Sequence, residues 1–255
     1  MKTILEVGAY DGTDGLALAY KNPKIKVFAF EANPYQIKII KKNKKTLEKR
    51  KKVKLNNYII YNCAVSKENK LKYFYIAKNP RASSLNKVKK NLEKNWLGWK
   101  EVHFDQIKKI KVKSINLQTF CKNKKIDKIL YLHLDAQGSD LEILKSLKKN
   151  INIINEGVIE VAKNNSTSIY KNNHTLKDLK KFFFKKFKIN KIEANTKLDN
   201  EFNVFFEKEE ITDKKINKKY NTRYFYRIFN NKNNYKDDFF DLIESLYNRF
   251  FYIKF

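Results

Sequence analysis

The sequence predicts an α/β protein: a mainly parallel, seven-stranded sheet with helices on both faces and a helical C-terminal appendage. Three observations carry that prediction. Apolar runs alternate with amphipathic stretches from the first residues to about Phe206, the pattern of consecutive βαβ units. Three of the six glycines, Gly8, Gly12 and Gly15, crowd between the first apolar run and the next helix. From Ile211 the pattern changes to a tail dense in Tyr and Phe, so residues 1–210 read as one domain and 211–255 as its appendage.

The opening stretch ILEVGAYDGTDG, Ile4–Gly15, is a short buried strand, a glycine turn and the start of a helix. Glycine at such a turn admits φ > 0 and lets backbone N–H groups approach a ligand. The spacing is E-x-G-x-x-x-G, not the G-x-G-x-x-G of a dinucleotide site. KVFAFEANP, Lys26–Pro34, is the second strand, with Asn33 and Pro34 as N-cap and first turn of the next helix. Glu31 ends that strand, where an acid accepts hydrogen bonds from ribose hydroxyls. Glu6 is a carboxylate inside an apolar strand end, a costly burial unless it meets a cation or donors.

Pro34 to about Leu47 is an amphipathic helix with Ile37, Ile39, Ile40 and Leu47 as its apolar residues and lysines mostly on the outer face. Asn57–Val65 reads as a third strand, and Lys70–Ala77 as an alternating sheet edge or hairpin partner. From Lys78 to Gln106 no period survives. Its aromatic residues, Trp96 and Trp99 among them, argue for an ordered loop with a short helix over the ligand edge. Ile107–Ile115 is strand-like, NLQTFCKN is a short helix, and Lys128–Asp135 is apolar enough to be a central strand. Ser139 and Glu142 have capping-box spacing for the helix that follows. Gly157–Ala162 is another buried strand, and Thr175 with Asp178 opens a helix through Phe187. KINKIEA and EFNVFFEK close the sheet as an antiparallel pair. In the tail, Phe239, Ile243, Leu246 and Phe250 recur at helical spacing, a stripe suited to packing on the domain or to a homodimer.

The net charge of +29 invites a nucleic-acid reading. Of 56 basic residues, however, only Arg50, Arg81, Arg223, Arg227 and Arg249 are arginines. Lysine lacks the bidentate fork that phosphate-reading surfaces favour, so the charge reads as solvated helix faces, with no specific nucleic-acid partner expected. No apolar run approaches the length of a membrane span, and the immediate first strand points to a cytoplasmic protein. Cys63 and Cys121 form no C-x-x-C pair, and His103, His133 and His174 are scattered, so no metal is expected.

Four buried strands end in carboxylates: Glu6, Glu31, Asp135 and Glu160. In a parallel α/β sheet those ends share one edge, where ligands bind near the reversal of strand order. Acids gathered there in so basic a chain point to a cationic ligand. The alternative is that each caps a helix or pairs with a lysine.

Tyr131–Leu144, YLHLDAQGSDLEIL, sharpens the identification. It resembles the FkbM-family signature of a strand running into Asp (Asp135), then Gln or Glu (Gln137), Gly (Gly138) and, one residue on, Glu, in place of which this chain has Asp140. NCAVS at Asn62–Ser66, KSINLQTF before the signature strand, and GVIEVAKNNSTSIY with Glu160 and Tyr170 are similar to the family's flanking segments. The resemblance spans roughly Ile4 to Phe206. It implies the Rossmann-like class I methyltransferase fold and the cofactor S-adenosyl-L-methionine (SAM), whose ammonium and sulfonium suit the acids. Glu6, Gly8, Ala9, Asp11 and Gly12 would then line the methionine end, Glu31 and Ala32 would meet ribose and adenine, and Cys63 and Ala64 would flank the adenine. Asp135 would lie where the methyl group is presented. The family has lysine where this chain has His133.

A methyl transferase needs the acceptor oxygen aligned and its proton removed. Asp135 and His133 are the candidate bases, with Glu160 next. His133, between Leu132 and Leu134, also fits a packed core histidine. The implied activity is O-methylation of a sugar, glycan or small-molecule hydroxyl. The alternatives are a nucleic-acid-binding protein or RNA methyltransferase, and a non-catalytic module, which the intact Glu6–Gly12 and Asp135–Gly138 segments argue against.

Overall fold

The structure is a computed structural model that describes residues 1–90, 92, 103–171, 173–194, 200–208, 216–218, 225, 228 and 229. The first unit comprises β1 (Lys2–Val7), α1 (Thr13–Lys21), β2 (Lys26–Phe30), α2 (Pro34–Lys51) and β3 (Tyr58–Tyr61). Then come β4 (Ala64–Val65), β5 (Leu71–Ala77) and β6 (Gln106–Ile115). The second half runs α3 (Leu117–Asn123), β7 (Lys128–Leu134), α4 (Asp140–Ser146), β8 (Glu156–Ala162), α5 (Leu176–Phe183), β9 (Lys188–Ala194) and β10 (Glu201–Glu207).

Among the described residues the main sheet has seven strands in the order β3-β2-β1-β7-β8-β10-β9. All neighbours pair in parallel except β10, which runs antiparallel to both β8 and β9. An α/β sheet with its last strand inserted antiparallel beside the fifth is the class I methyltransferase topology the sequence predicts. The chain builds outward from β1 to β3, then returns to place β7 on the other side of β1. The switch point therefore lies between β1 and β7.

The period-2 alternation of β1 divides its side chains between two cores. Leu5 and Val7 join Phe28, Phe30, Leu132 and Leu134 under α3, α4 and α5. Ile4 joins Val27, Ala29 and Leu130 under α1 and α2. Each of these Leu, Ile, Val and Phe side chains contributes roughly 1.5–3 kcal/mol by leaving water. α2 starts where the sequence predicts: Asn33 Oδ1 accepts from the Tyr35 N–H and Pro34 occupies the first turn. α5 carries the full Thr175–Asp178 capping box.

Three local readings need correction. The run Asn57–Val65 is not one strand. It breaks at Asn62, whose Nδ2 donates to the carbonyls of Glu31 and Ala32, and its end becomes β4. β4 pairs with β6 in parallel, and β6 with β5 antiparallel, in a separate three-stranded sheet, so Lys70–Ala77 is a hairpin partner of the strand at Ile107–Ile115. The Ser139–Glu142 capping box does not form. Ser139 Oγ accepts from Asn86 Nδ2 instead, and Glu142 pairs with Lys67. α5 stops at Phe183 because the chain turns at Lys185 (φ 58), which folds Phe187 back onto Phe183 and Phe206.

Of residues past 210, Ile216, Phe225, Ile228 and Phe229 are buried in the core beneath α1 and α2. Asn22 and Asn217 exchange hydrogen bonds of 2.9 and 2.8 Å, and Lys218 pairs with Glu156. The start of the appendage is thus bound to the domain. The stripe Phe239–Phe250 and the two tryptophans lie outside the described residues. No helix among the described residues is long and apolar enough to cross a membrane.

Candidate active site

At the carboxyl ends of β1, β2, β7 and β8 the chain leaves a cavity of about 520 Å³, within the range of small-molecule sites. Its walls hold six carboxylates, those of Glu6, Asp11, Asp14, Glu31, Asp135 and Glu160. Gly8, Ala9, Ala32, Cys63, Ala64 and His133 also line it. All the candidate site residues except Gly12 therefore meet at one place. Gly12 caps α1 in the left-handed region and faces Ile40 and Tyr58, behind the cavity.

The turn after β1 is set by contact as much as by conformation. Gly8 has φ +79, and a Cβ there would overlap the Asp135 carbonyl oxygen. The Asp135 N–H donates to Val7 O, while the N–H groups of Gly8 and Ala9 both donate to Phe30 O. Three strand ends are thereby locked at the switch point.

Glu6 crosses to the start of α1. Its Oε1 accepts from the Gly15 N–H at 2.7 Å and its Oε2 from the Tyr58 hydroxyl at 2.9 Å. Only a residue without a Cβ leaves room for that carboxylate at position 15. Burial, then repulsion from Asp14, pushes the Glu6 carboxyl up to about 8, against the pull of those two hydrogen bonds. Glu6 thus finds the donors its burial demands inside the protein. Glu31 accepts from the N–H groups of Asn33 and Tyr10 at 2.7 and 2.8 Å. Burial raises it to about 7 despite those bonds.

The segment after β7 is the second wall. Gln137 lies in the left-handed region at φ 51, a conformation that non-glycine residues adopt at a cost. Its Nε2 donates to Asp135 Oδ1 at 2.7 Å and to Glu160 Oε2 at 3.0 Å, which fixes the orientation of the amide. Its Oε1 then faces the Tyr170 hydroxyl at 2.8 Å. Gly138 has no side chain because a Cβ would press on the Tyr170 ring. Asp140 accepts from the N–H groups of Ala136 and Gly138, so the last acid of the signature organises this turn.

Acids accumulate behind Asp135. Burial, then Asp135 itself, holds Glu160 well above the usual carboxylate range, and its carboxyl hydrogen-bonds Asp135. Glu201, on the antiparallel β10, is pushed up to about 8 by burial and by Asp135. Sequence reasoning missed Glu201, because only the insertion of β10 beside β8 brings it there. It also missed Tyr10, Arg81 and Ser83, which are among the remaining lining residues. His133 Nδ1 is buried with no hydrogen-bond partner. Among the described residues no cluster of His, Cys, Asp and Glu is arranged to hold a metal ion.

The cavity's donor set suits a ligand with cationic groups and a planar nucleoside. Six carboxylates stand in its walls, Glu31 among them, and the small residues Ala32, Cys63 and Ala64 line it as well. The sequence agrees with that fit. Residues 6–186 match the Methyltransferase FkbM domain family. No curated protein matches the chain. Among solved structures, methyltransferase FkbM from Methylobacillus flagellatus KT is 12% identical, with 81% of this chain and 44% of that chain covered and a TM-score of 0.48. The chain thus spans less than half of that protein. M. capricolum TrmK, solved with S-adenosyl-homocysteine, is 16% identical over 99% of this chain and 82% of that one, TM-score 0.43. Magnesium protoporphyrin IX methyltransferase from Synechocystis PCC 6803, with bound SAM, is 10% identical over 81% and 70%, TM-score 0.41. With the family match covering most of its length, the chain belongs to the FkbM family of SAM-dependent methyltransferases.

Proposed function

We propose that this cavity binds SAM and that the protein methylates a hydroxyl of a sugar, glycan or small molecule. The observation that supports it is the meeting of Glu31, the glycine turn and the Asp135–Gln137–Glu160 network around one cavity at the switch point. SAM supplies an electrophilic methyl group on a sulfonium.

The chain's residues supply position, charge and a base. Glu31 faces the ribose hydroxyls, with Ala32, Cys63 and Ala64 beside the adenine. Glu6 and Asp11 act largely by holding the turn: Asp11 Oδ1 accepts from both the N–H and the hydroxyl of Thr13. Asp135 takes the proton from the acceptor hydroxyl. Gln137 holds the carboxylate in place, and the hydrogen bond from Glu160 keeps it oriented. His133 is the second base, its Nδ1 unengaged at the same wall.

The second reading, an RNA acceptor, has one specific observation in its favour. The outer face of the three-stranded sheet carries Tyr73 and Tyr75 on β5 opposite Lys111 and Lys109 on β6, and Lys109 Nζ sits 3.5 Å from the Tyr73 ring centroid. Leu85 touches both this face and the cavity. Tyrosine and lysine together can stack bases and neutralise phosphates.

One experiment separates the two readings: methyl incorporation from labelled SAM into hydroxyl-bearing glycans and into total RNA, with RNA affinity followed against salt. The expected result is a methylated hydroxyl, and RNA binding that fades steeply towards physiological salt. A methylated nucleotide, with salt-resistant binding, overturns the first reading and installs the second.

A further inference from the structure

In a chain whose basic residues are overwhelmingly lysine, the cavity lining contains, among the described residues, one Lys or Arg side chain, that of Arg81. Arg81 sits in the 3-10 turn Pro80–Ala82, directly after β5. Its guanidinium lies over the Tyr10 ring, 4.9 Å from the centroid. Tyr10 follows Ala9 in the glycine turn, and its N–H is bound to Glu31. Arg81 therefore faces the end of the cavity formed by the turn after β1. Among the described residues it pairs with no carboxylate, although six line the same cavity.

The turn that carries Arg81 is tied down on both sides. Asn79 Oδ1 accepts from the Arg81 N–H, and Ser83 Oγ accepts from the Ala77 N–H. Ser84 Oγ donates to Gln137 O at 2.6 Å, and the Tyr170 hydroxyl lies 2.8 Å from Ala82 O. An exposed arginine is thus presented by an anchored backbone and stacked on a ring, with its edge N–H donors unpaired among the described residues. A pre-organised fork of that kind is built for a planar anion, above all a carboxylate.

We infer that Arg81 binds the carboxylate of the methionine portion of SAM. This rests on the reading that SAM occupies the cavity. The charge pattern selects the group. SAM carries two positive centres and one negative one, and the lining offers many acids and one fixed cation. Placed over Tyr10, that cation meets the methionine end rather than the ribose, which Glu31 faces. The same anchored turn touches Gln137, so holding the carboxylate also holds the wall that carries Asp135.

The test uses two ligands and two variants, read by calorimetry. S-adenosylhomocysteine keeps the amino-acid portion, whereas 5′-methylthioadenosine keeps only the nucleoside and the sulfur. Arg81→Ala should raise the Kd of S-adenosylhomocysteine roughly tenfold or more, the scale of a lost hydrogen bond to a charged group. It should leave that of 5′-methylthioadenosine within about twofold, and Arg81→Lys should fall between. Because Arg81 is exposed, both variants should melt as the wild type does. Unchanged affinity for S-adenosylhomocysteine, or equal weakening of both ligands, overturns the inference. If the wild type binds neither ligand, the placement of SAM in the cavity fails first.

Discussion

Two surfaces of this molecule, joined at Leu85, have opposite chemistry. The carboxyl ends of β1, β2, β7 and β8 gather six acids and a single arginine around a cavity. The neighbouring face of the three-stranded sheet sets Lys109 and Lys111 against Tyr73 and extends the lysine-rich exterior. The overall charge of +29 is therefore a property of the exterior. What the protein binds tightly is decided where the charge reverses. A cationic cofactor gains from the first surface, and any polyanion gains, non-specifically and at low salt, from the second.

The comparison breaks most sharply at Asp135. If the acid wall does the chemistry, Asp135→Asn should cut turnover by roughly 10²–10⁴-fold, the range of a lost general base. Binding of S-adenosylhomocysteine and the fold should survive. Wild-type turnover in that variant would make Asp135 structural and shift the role to His133 or Glu160.

A smaller effect sharpens the same contrast through pH. Burial moves Glu201 from an ordinary value of 4.5 to about 8. A carboxyl raised in the folded state holds its proton more tightly there than in the unfolded chain. Its contribution to stability is present in full below about 4.5 and is lost as the pH rises through about 8. Glu201→Gln keeps the neutral shape and removes this dependence. The fall in Tm between pH 5 and pH 8 should then shrink by at least about 2 °C relative to wild type. Parallel curves for the two proteins would mean that Glu201 does not titrate in that window.

The contrast also explains which parts could be read from sequence. Local devices were legible, because their cause lies within a few residues. The Asn33 cap with Pro34, the Thr175–Asp178 box and the alternation of β1 all fall in this class. The four strand-end acids were legible too, since a parallel sheet necessarily brings such ends together. What escaped depended on pairing at a distance. The break at Asn62 follows from carbonyls on β2's continuation, and the second sheet exists because β6 pairs with both β4 and β5. Glu201 reaches Asp135 only through the antiparallel insertion of β10. Ser139 looked like a helix cap because spacing alone could not reveal Asn86, which binds it instead. Arg81 lay in a stretch without periodicity, and no local pattern marked it as a cation of the cavity wall.

The central claim is that the acid edge at the β1/β7 switch point is a SAM site and not a dinucleotide site. Calorimetry of the wild type and Glu31→Ala with S-adenosylhomocysteine and with NAD tests it most directly. The expected result is a saturable heat with S-adenosylhomocysteine, none with NAD, and a loss of about 1–3 kcal/mol in the variant, the scale of hydrogen bonds to a charged acceptor. Equal binding of NAD, or S-adenosylhomocysteine affinity unchanged by Glu31→Ala, would contradict it.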